Sequence, residues 1–181
     1  MQVKNDAFNA LERLKEGNKL YINSVKAVGD ISPEKRFATY KDGQHPYAVI
    51  ISCADSRVIP ESIFSAGIGD LFVIRVAGNV IDNFQLASIE YAVEHLACRL
   101  VLVLGHTGCG AVGAALKQNK GYIKFITDEI SRAIGTESDT VKASILNVNQ
   151  SVGAIKARIK ADGLIVTGAL YHTESGIVDF N

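Results

Sequence analysis

Residues 100–110 read LVLVLGHTGCG, an unbroken apolar run that passes into glycines and polar side chains. Three more apolar runs, rich in β-branched residues, occupy 47–52, 71–77 and 164–170. Strands covered by helices on both faces have such near-continuous apolar sequences, whereas in half-exposed strands apolar and polar residues alternate. The four runs therefore predict a central, largely parallel sheet that is buried between helices.

Helical patterns separate these runs, as an α/β fold requires. Between the second and third runs, Leu86, Ile89 and Val93 repeat at intervals of three and four residues, which predicts a helix. Asp82 or Asn83 can cap it. Between the third and fourth runs, apolar residues keep this spacing over 141–159. Strands that alternate with helices in this way predict a doubly covered α/β sheet.

The chain has 181 residues, of which 48% are hydrophobic and 21% charged. This length and composition indicate one folded domain, 1–181, with its sheet core in 44–181. Apolar residues at helical spacing predict an N-terminal amphipathic helix over 6–23, and its apolar face needs a partner surface. The polar stretch that follows this helix is interpreted as irregular or as a short helix after Pro33.

Charge and cysteine content exclude several classes of partner and compartment. Nineteen Lys and Arg balance nineteen Asp and Glu, so the chain has no net field to attract nucleic acid or an anionic membrane. No apolar run is long enough for a signal peptide or a membrane span. Three cysteines, an odd number without an export signal, argue against a disulfide framework. We expect a cytoplasmic protein whose thiols are reduced and can bind metal.

Metal-binding residue types follow two of the predicted strands. The sequence CADSR (53–57) ends the first run, and His106 and Cys109 follow the third. Ligands of open α/β sheets bind outside the carboxyl ends of the strands, so Cys53 meets His106 and Cys109 if the two strands are neighbours. Two thiolates and one imidazole suit zinc, and three protein ligands leave a fourth position for water, as in catalytic zinc sites.

Three other motif interpretations fail. A phosphatase-like loop needs an arginine six residues after its cysteine, but that position holds Ile59. The glycines 105, 108 and 110 invert the order of a dinucleotide-binding loop, and bulky residues lie between them. A redox pair would need Cys-x-x-Cys, which is absent. The third cysteine, Cys98, is interpreted as a core residue.

These motifs resemble those of the β-class carbonic anhydrases, and the likeness extends from Phe8 to Phe180. The shared signatures, in family order, are CADSRV (53–58) with Pro60-Glu61, GDLFV (69–73) with Arg75, AGN (77–79), IEYA (89–92), Gly105-His106 and CGAV (109–112). The resemblance implies one zinc ion on Cys53, His106 and Cys109, beside an Asp55–Arg57 pair. It also implies a homodimer, often paired into a tetramer, in which the N-terminal helix lies across the partner.

The family has an always-open subgroup, with water on the metal, and a regulated subgroup in which the aspartate can displace that water. Gln44, Phe72, Ala77 and Tyr91 match positions that line the substrate pocket of the open subgroup. The bicarbonate site of the regulated subgroup uses a tryptophan, and this chain has none. The resemblance therefore favours the open form, with these four residues lining the substrate pocket.

The expected reaction is zinc-dependent hydration of carbon dioxide to bicarbonate through a zinc-bound hydroxide. On this interpretation Asp55, held as a carboxylate by Arg57, orients the attacking oxygen. Pro60 is expected to start a helix, and Asp70 and Arg75 to form a structural ion pair. Two alternatives stay open: hydrolysis of carbonyl sulfide or carbon disulfide at the same site, and a non-enzymatic zinc-binding protein.

Overall fold

A five-stranded sheet is the centre of the computed structural model, which describes residues 6–26, 29–118 and 121–181. Within that part of the chain the strand order is β2-β1-β3-β4-β5. The strands are β1 (Ala48–Ser52), β2 (Leu71–Arg75), β3 (Leu100–His106), β4 (Ile165–Tyr171) and β5 (Val178–Phe180). Strands β1 to β4 are parallel, which confirms the prediction from the four apolar runs, and β5 adds an antiparallel edge.

Helices lie in the intervals between strands where the sequence predicts them, and further helices are present that the sequence does not predict. They are α1 (Ala7–Ile22), α2 (Pro33–Asp42), α3 (Pro60–Ile63), α4 (Asn83–His95), α5 (Gly110–Leu116), α6 (Lys124–Ile134) and α7 (Thr140–Arg158), with a 3₁₀ turn at Ala77–Asn79. The predicted helices correspond to α1, α4 and α7, and α3 starts at Pro60 as expected. A capping box of Asp82 and Gln85 starts α4, because each side chain bonds the other residue's backbone N–H. The stretch after Pro33, which the sequence leaves as irregular or as a short helix, forms helix α2.

Helices cover both faces of the sheet. On one face α1 and α3 pack against alternate strand residues, among them Ile50 and Leu102. On the other face α4 and α7 pack against the intervening residues, such as Val49 and Val101. Alternate side chains of a strand point to opposite faces, so strands buried on both faces need apolar residues at nearly every position. This layering explains why the four runs are continuous.

Helix α1 packs on its own chain, so part of the surface that its apolar face needs lies within the monomer. Leu14 is fully buried against the sheet. A Cβ on Gly17 would lie 1.9 Å from the Phe64 carbonyl oxygen, so only glycine permits this approach of α1 to α3. Asn18 donates to the Gly176 carbonyl at 2.9 Å and accepts from Val178 N–H at 3.0 Å. Contact of α1 with a partner subunit stays a prediction.

The strand order creates a crevice at the carboxyl ends of β1 and β3. After β1 the chain forms β2 on one side, and β3 then pairs with the other side of β1. Such a topological switch point is where open α/β sheets bind ligands. Ser52, at the end of β1, lies beside Leu104 of β3. Among the described residues, no helix has the length and apolarity to cross a membrane.

Candidate metal centre

Three side chains with metal-binding atoms meet in this crevice. Cys53 directly follows β1, His106 ends β3, and Cys109 is the N-cap residue of α5. All three are buried, and their ligand atoms lie within 4.8 Å of one another. Tetrahedral zinc with ligand bonds of about 2.0–2.3 Å places its ligand atoms roughly 3.3–3.8 Å apart, so small movements would complete a site. The predicted convergence of the two strand ends is therefore present.

The histidine is oriented as a metal ligand requires. Its Nδ1 lies 3.0 Å from the Thr107 carbonyl oxygen, an acceptor, so Nδ1 carries the proton and the Nε2 lone pair is free. Nε2 is buried and has no hydrogen-bond partner within the described part of the chain. Buried polar atoms are normally paired, and zinc-binding histidines typically donate their second N–H to an acceptor of this kind. His106 therefore fits a metal ion at Nε2.

The two cysteine thiols differ in acidity. The pKa of Cys53 lies well below its ordinary value because the Cys109 thiol donates to it, with further donation from the backbone N–H groups of Gly78 and Asp55. The pKa of Cys109 is raised because its proton is held between the two sulfurs and because the site is buried. A divalent cation would release that proton, since only thiolates ligate metal. The donor set suits a thiophilic ion such as zinc.

An ionised aspartate lies beside the cluster. Asp55 accepts two bonds from the Arg57 guanidinium, from Nε at 2.9 Å and from Nη2 at 2.7 Å. The backbone N–H of Arg57 donates to the same carboxylate at 3.0 Å. The Arg57 side chain, through these bonds, holds the pKa of the Asp55 carboxyl far below its usual range. Arg57 also donates to the Gly108 carbonyl at 3.1 Å, which links the two loops that supply the cluster.

The predicted ion pair between Asp70 and Arg75 is wrong. Asp70 instead accepts from Arg13 at 3.0 Å and from Lys35 at 3.2 Å. Arg75 donates to the carbonyls of Cys53 at 3.2 Å and of Asp55 at 2.7 Å. Asp70 and Arg75 bracket β2, about 16 Å apart at 3.3 Å per residue, which is too far for a contact. Arg75 therefore fixes the backbone of the loop that bears Cys53.

The predicted substrate-pocket residues do not all meet at the cluster in one chain. Ala77 begins the 3₁₀ turn whose Gly78 N–H donates to Cys53 Sγ at 3.2 Å. Phe72 lies opposite Val49, about 13 Å along the strand from Cys53.

The other two pocket residues also lie away from the cluster. Gln44 is exposed and precedes β1, at the strand end opposite Cys53. Tyr91, on α4, packs beside Phe72 with 6.2 Å between ring centroids. One chain alone therefore brings only Ala77 near the cluster, and the roles of the other three residues stay predictions.

Comparisons with known proteins agree on one family. The family model described as carbonic anhydrase matches residues 48–136. Carbonic anhydrase 2 of Mycobacterium tuberculosis (strain CDC 1551 / Oshkosh) is 38% identical to the chain, and the match covers 92% of this chain and 89% of that protein.

Solved structures show the same likeness. The crystal structure of a β-carbonic anhydrase from Aspergillus fumigatus superposes with a TM-score of 0.74 at 30% identity, over 82% of this chain and 81% of that one. A structure from a study of two tetrameric β-carbonic anhydrases of Sordaria macrospora has a TM-score of 0.64 at 25% identity, over 82% and 86% of the two chains.

Proposed function

The chain belongs to the β-carbonic anhydrase family, and on that premise we propose that it catalyses the reversible hydration of carbon dioxide to bicarbonate and a proton. The observation that carries the proposal is the buried cluster of Cys53, His106 and Cys109 with its free imidazole nitrogen. Two thiolates and an imidazole favour zinc over Mg²⁺ or Ca²⁺, which prefer oxygen ligands. Three protein ligands leave the fourth position for water, as in catalytic zinc sites.

A bound zinc ion supplies Lewis acidity, which lowers the pKa of a coordinated water so that it can attack carbon dioxide near neutral pH. Within the chain, Asp55 is the acceptor that can take a hydrogen bond from the attacking water and turn its lone pair toward the substrate. Arg57 keeps Asp55 ionised and fixes its plane through the two guanidinium bonds. The pair thus orients the nucleophile, and Arg75 holds the loop on which the pair is built.

We also propose that the substrate pocket is completed by a second copy of the chain. Carbon dioxide needs an apolar pocket, and the pocket residues Gln44, Phe72 and Tyr91 lie away from the cluster of their own chain. A homodimer can bring these residues of one subunit to the cluster of the other. Exposed apolar side chains on α1, Phe8 and Leu20, are candidates for the contact. Pairing of dimers into a tetramer is supported by the tetrameric relatives of Sordaria macrospora.

The open form of the site and a reducing compartment belong to the same proposal. Both carboxylate oxygens of Asp55 accept hydrogen bonds from Arg57. This favours the open form, in which water is the fourth metal ligand, over the form in which Asp55 takes that position. All three cysteines are free thiols. Thiols persist in the cytoplasm, where disulfides are rare, so we place the protein there.

Stopped-flow measurement of carbon dioxide hydration, on protein whose zinc content has been quantified, tests the proposal. We expect turnover in proportion to bound zinc, and its loss after chelation. Carbonyl sulfide is run in parallel. Hydrolysis of carbonyl sulfide without carbon dioxide hydration would replace the proposed reaction, and a zinc-loaded protein inactive on both would indicate a non-enzymatic zinc protein.

A further inference from the structure

Helix α7 directs two buried polar side chains at the turn beside the metal centre. Asn147 Nδ2 donates to the Gly78 carbonyl at 2.7 Å, and Ser151 Oγ donates to the Asn79 carbonyl at 3.0 Å. Their residues are only 2% and 3% exposed. The two lie four positions apart, which places them on one face of the helix. They therefore hold consecutive carbonyls of the 3₁₀ turn Ala77–Asn79.

Two successive residues of the turn have left-handed backbone conformations. Gly78 has a φ of 71°, and Asn79 has a φ of 45°. Left-handed conformations are uncommon outside glycine and persist where the surroundings impose them. A Cβ on Gly78 would lie 2.8 Å from Ile130 Cδ1 and 3.1 Å from Ala111 Cβ, so the turn is also closely surrounded.

This conformation aims a backbone donor at one of the sulfur atoms. Gly78 N–H donates to Cys53 Sγ at 3.2 Å. A hydrogen bond to a thiolate withdraws electron density from sulfur and stabilises its charged form, which is the form that binds metal. Neighbours that orient metal ligands typically change metal affinity by 10- to 100-fold when they are lost.

We propose that Asn147 and Ser151 are positioning residues of the metal centre, which act through the Gly78 N–H on the Cys53 sulfur. The inference rests on the proposed metal binding at Cys53, His106 and Cys109, and it concerns how α7 tunes that site. A helix far away in sequence thereby holds the turn whose backbone N–H contacts one ligand. Leucine branches at the same carbon as asparagine but has no hydrogen-bond donor, so it tests the amide and not the branching of the side chain.

Two variants and one matched control test the proposal. Asn147→Leu removes the donor to the Gly78 carbonyl, and Ser151→Ala removes the donor to the Asn79 carbonyl. The control is Ser144→Ala: Ser144 is a 3%-exposed serine of the same helix, but its hydroxyl donates to Thr140 O within the helix. Zinc affinity is measured by competition with a chromophoric chelator. The thiolate-to-metal charge-transfer band is recorded on protein loaded with Co²⁺.

We expect zinc affinity to fall about 10- to 100-fold in Asn147→Leu, with a smaller fall in Ser151→Ala and none in the control. The charge-transfer band should move to lower energy, because a thiolate that loses a hydrogen bond gives up its electron more readily. Unchanged affinity and an unchanged band in folded Asn147→Leu would overturn the inference. If Asn147→Leu does not fold, the same two readouts on Ser151→Ala decide. A wild-type protein that binds neither metal would instead overturn the proposed function.

Discussion

Replacement of Asp55 by asparagine should remove most of the turnover while the fold and the bound zinc remain. The carboxylate accepts three hydrogen bonds from Arg57, at 2.7, 2.9 and 3.0 Å. Asparagine has nearly the same shape, but it carries no charge and has one acceptor oxygen instead of two. Asparagine can accept only one of the two guanidinium hydrogen bonds. It also lacks the negative charge that strengthens a hydrogen bond from the attacking water.

The expected losses in stability and in rate differ in size. The Arg57 side chain is 54% exposed, so solvent screening keeps the contribution of the ion pair to stability small. Removal of a positioned proton acceptor typically costs about 10²- to 10⁴-fold in rate. At 1.36 kcal/mol per factor of ten, that loss is about 2.7–5.4 kcal/mol of transition-state stabilisation. The loss of turnover should therefore exceed any effect of partial unfolding.

The matched control is Asp70→Asn. The Asp70 side chain is 19% exposed, against 18% for Asp55, and it too is paired with cations, those of Arg13 and Lys35. Both variants should lose similar stability in urea, but only Asp55→Asn should lose turnover per bound zinc in stopped-flow hydration. Undiminished turnover in Asp55→Asn, or an equal loss in both variants, would refute the orienting role.

Further predictions concern metal content, pH, assembly and the loop that bears the aspartate. Cys109→Ser should lose tightly held zinc because too few ligands remain; a full complement in elemental analysis would remove Cys109 from the ligand set. Arg57 holds the pKa of Asp55 below its usual range, so the stability that this carboxylate contributes is present above that range and is lost only in strong acid. Activity across neutral and alkaline pH should therefore rise with one ionisation, that of the metal-coordinated water. The pKa of that water should be at or above about 7, because two thiolates neutralise the zinc charge; a steep cooperative collapse below neutral pH in the profile of kcat/KM would show instead that Asp55 captures the metal. Dissociation of the proposed dimer should lower activity, and a fully active monomer in light scattering at assay concentration would contradict the proposed shared pocket. Arg75→Gln should lower turnover about 10-fold or more with an unchanged circular dichroism spectrum, because the carbonyls of the loop lose their donor; wild-type turnover would show that Arg75 is dispensable.

Much of the sheet could be predicted from sequence, because strands buried on both faces leave an unbroken apolar signal. Strand β5 has three residues, of which only Val178 is buried, so it leaves no such signal. Helix α6 has buried residues at helical spacing, but exposed Phe125 obscures the pattern. The covering of α1 could not be predicted either, since a periodic stripe shows that a helix has an apolar face and not which surface buries it.

The metal cluster could be predicted because cysteine and histidine are distinctive residue types that follow the ends of two strands. Among the surrounding contacts, the Asp55–Arg57 pair is implied by the family resemblance, but the contacts of Arg75, Asn147 and Ser151 could not be predicted. Opposite charge alone predicts a pair of Arg75 with Asp70, whereas the strand register places Arg75 beside Ser52 and the loop after β1. Asn147 and Ser151 are small polar residues that lie between the periodic apolar residues of α7, and their partners are backbone carbonyls. Backbone acceptors leave no mark in a sequence, so such contacts become visible only in the fold.

X-ray absorption at the zinc edge tests the central claim most directly, namely a three-ligand open zinc centre at Cys53, His106 and Cys109. We predict two sulfur atoms at about 2.3 Å and two nitrogen or oxygen atoms at about 2.0–2.1 Å, one from imidazole and one from water. Bromide should displace the water from zinc, so that the oxygen atom in the zinc coordination shell is replaced by one bromide ion, a heavier scatterer. A shell with three or four sulfur atoms, or a spectrum that bromide leaves unchanged, would contradict the open centre.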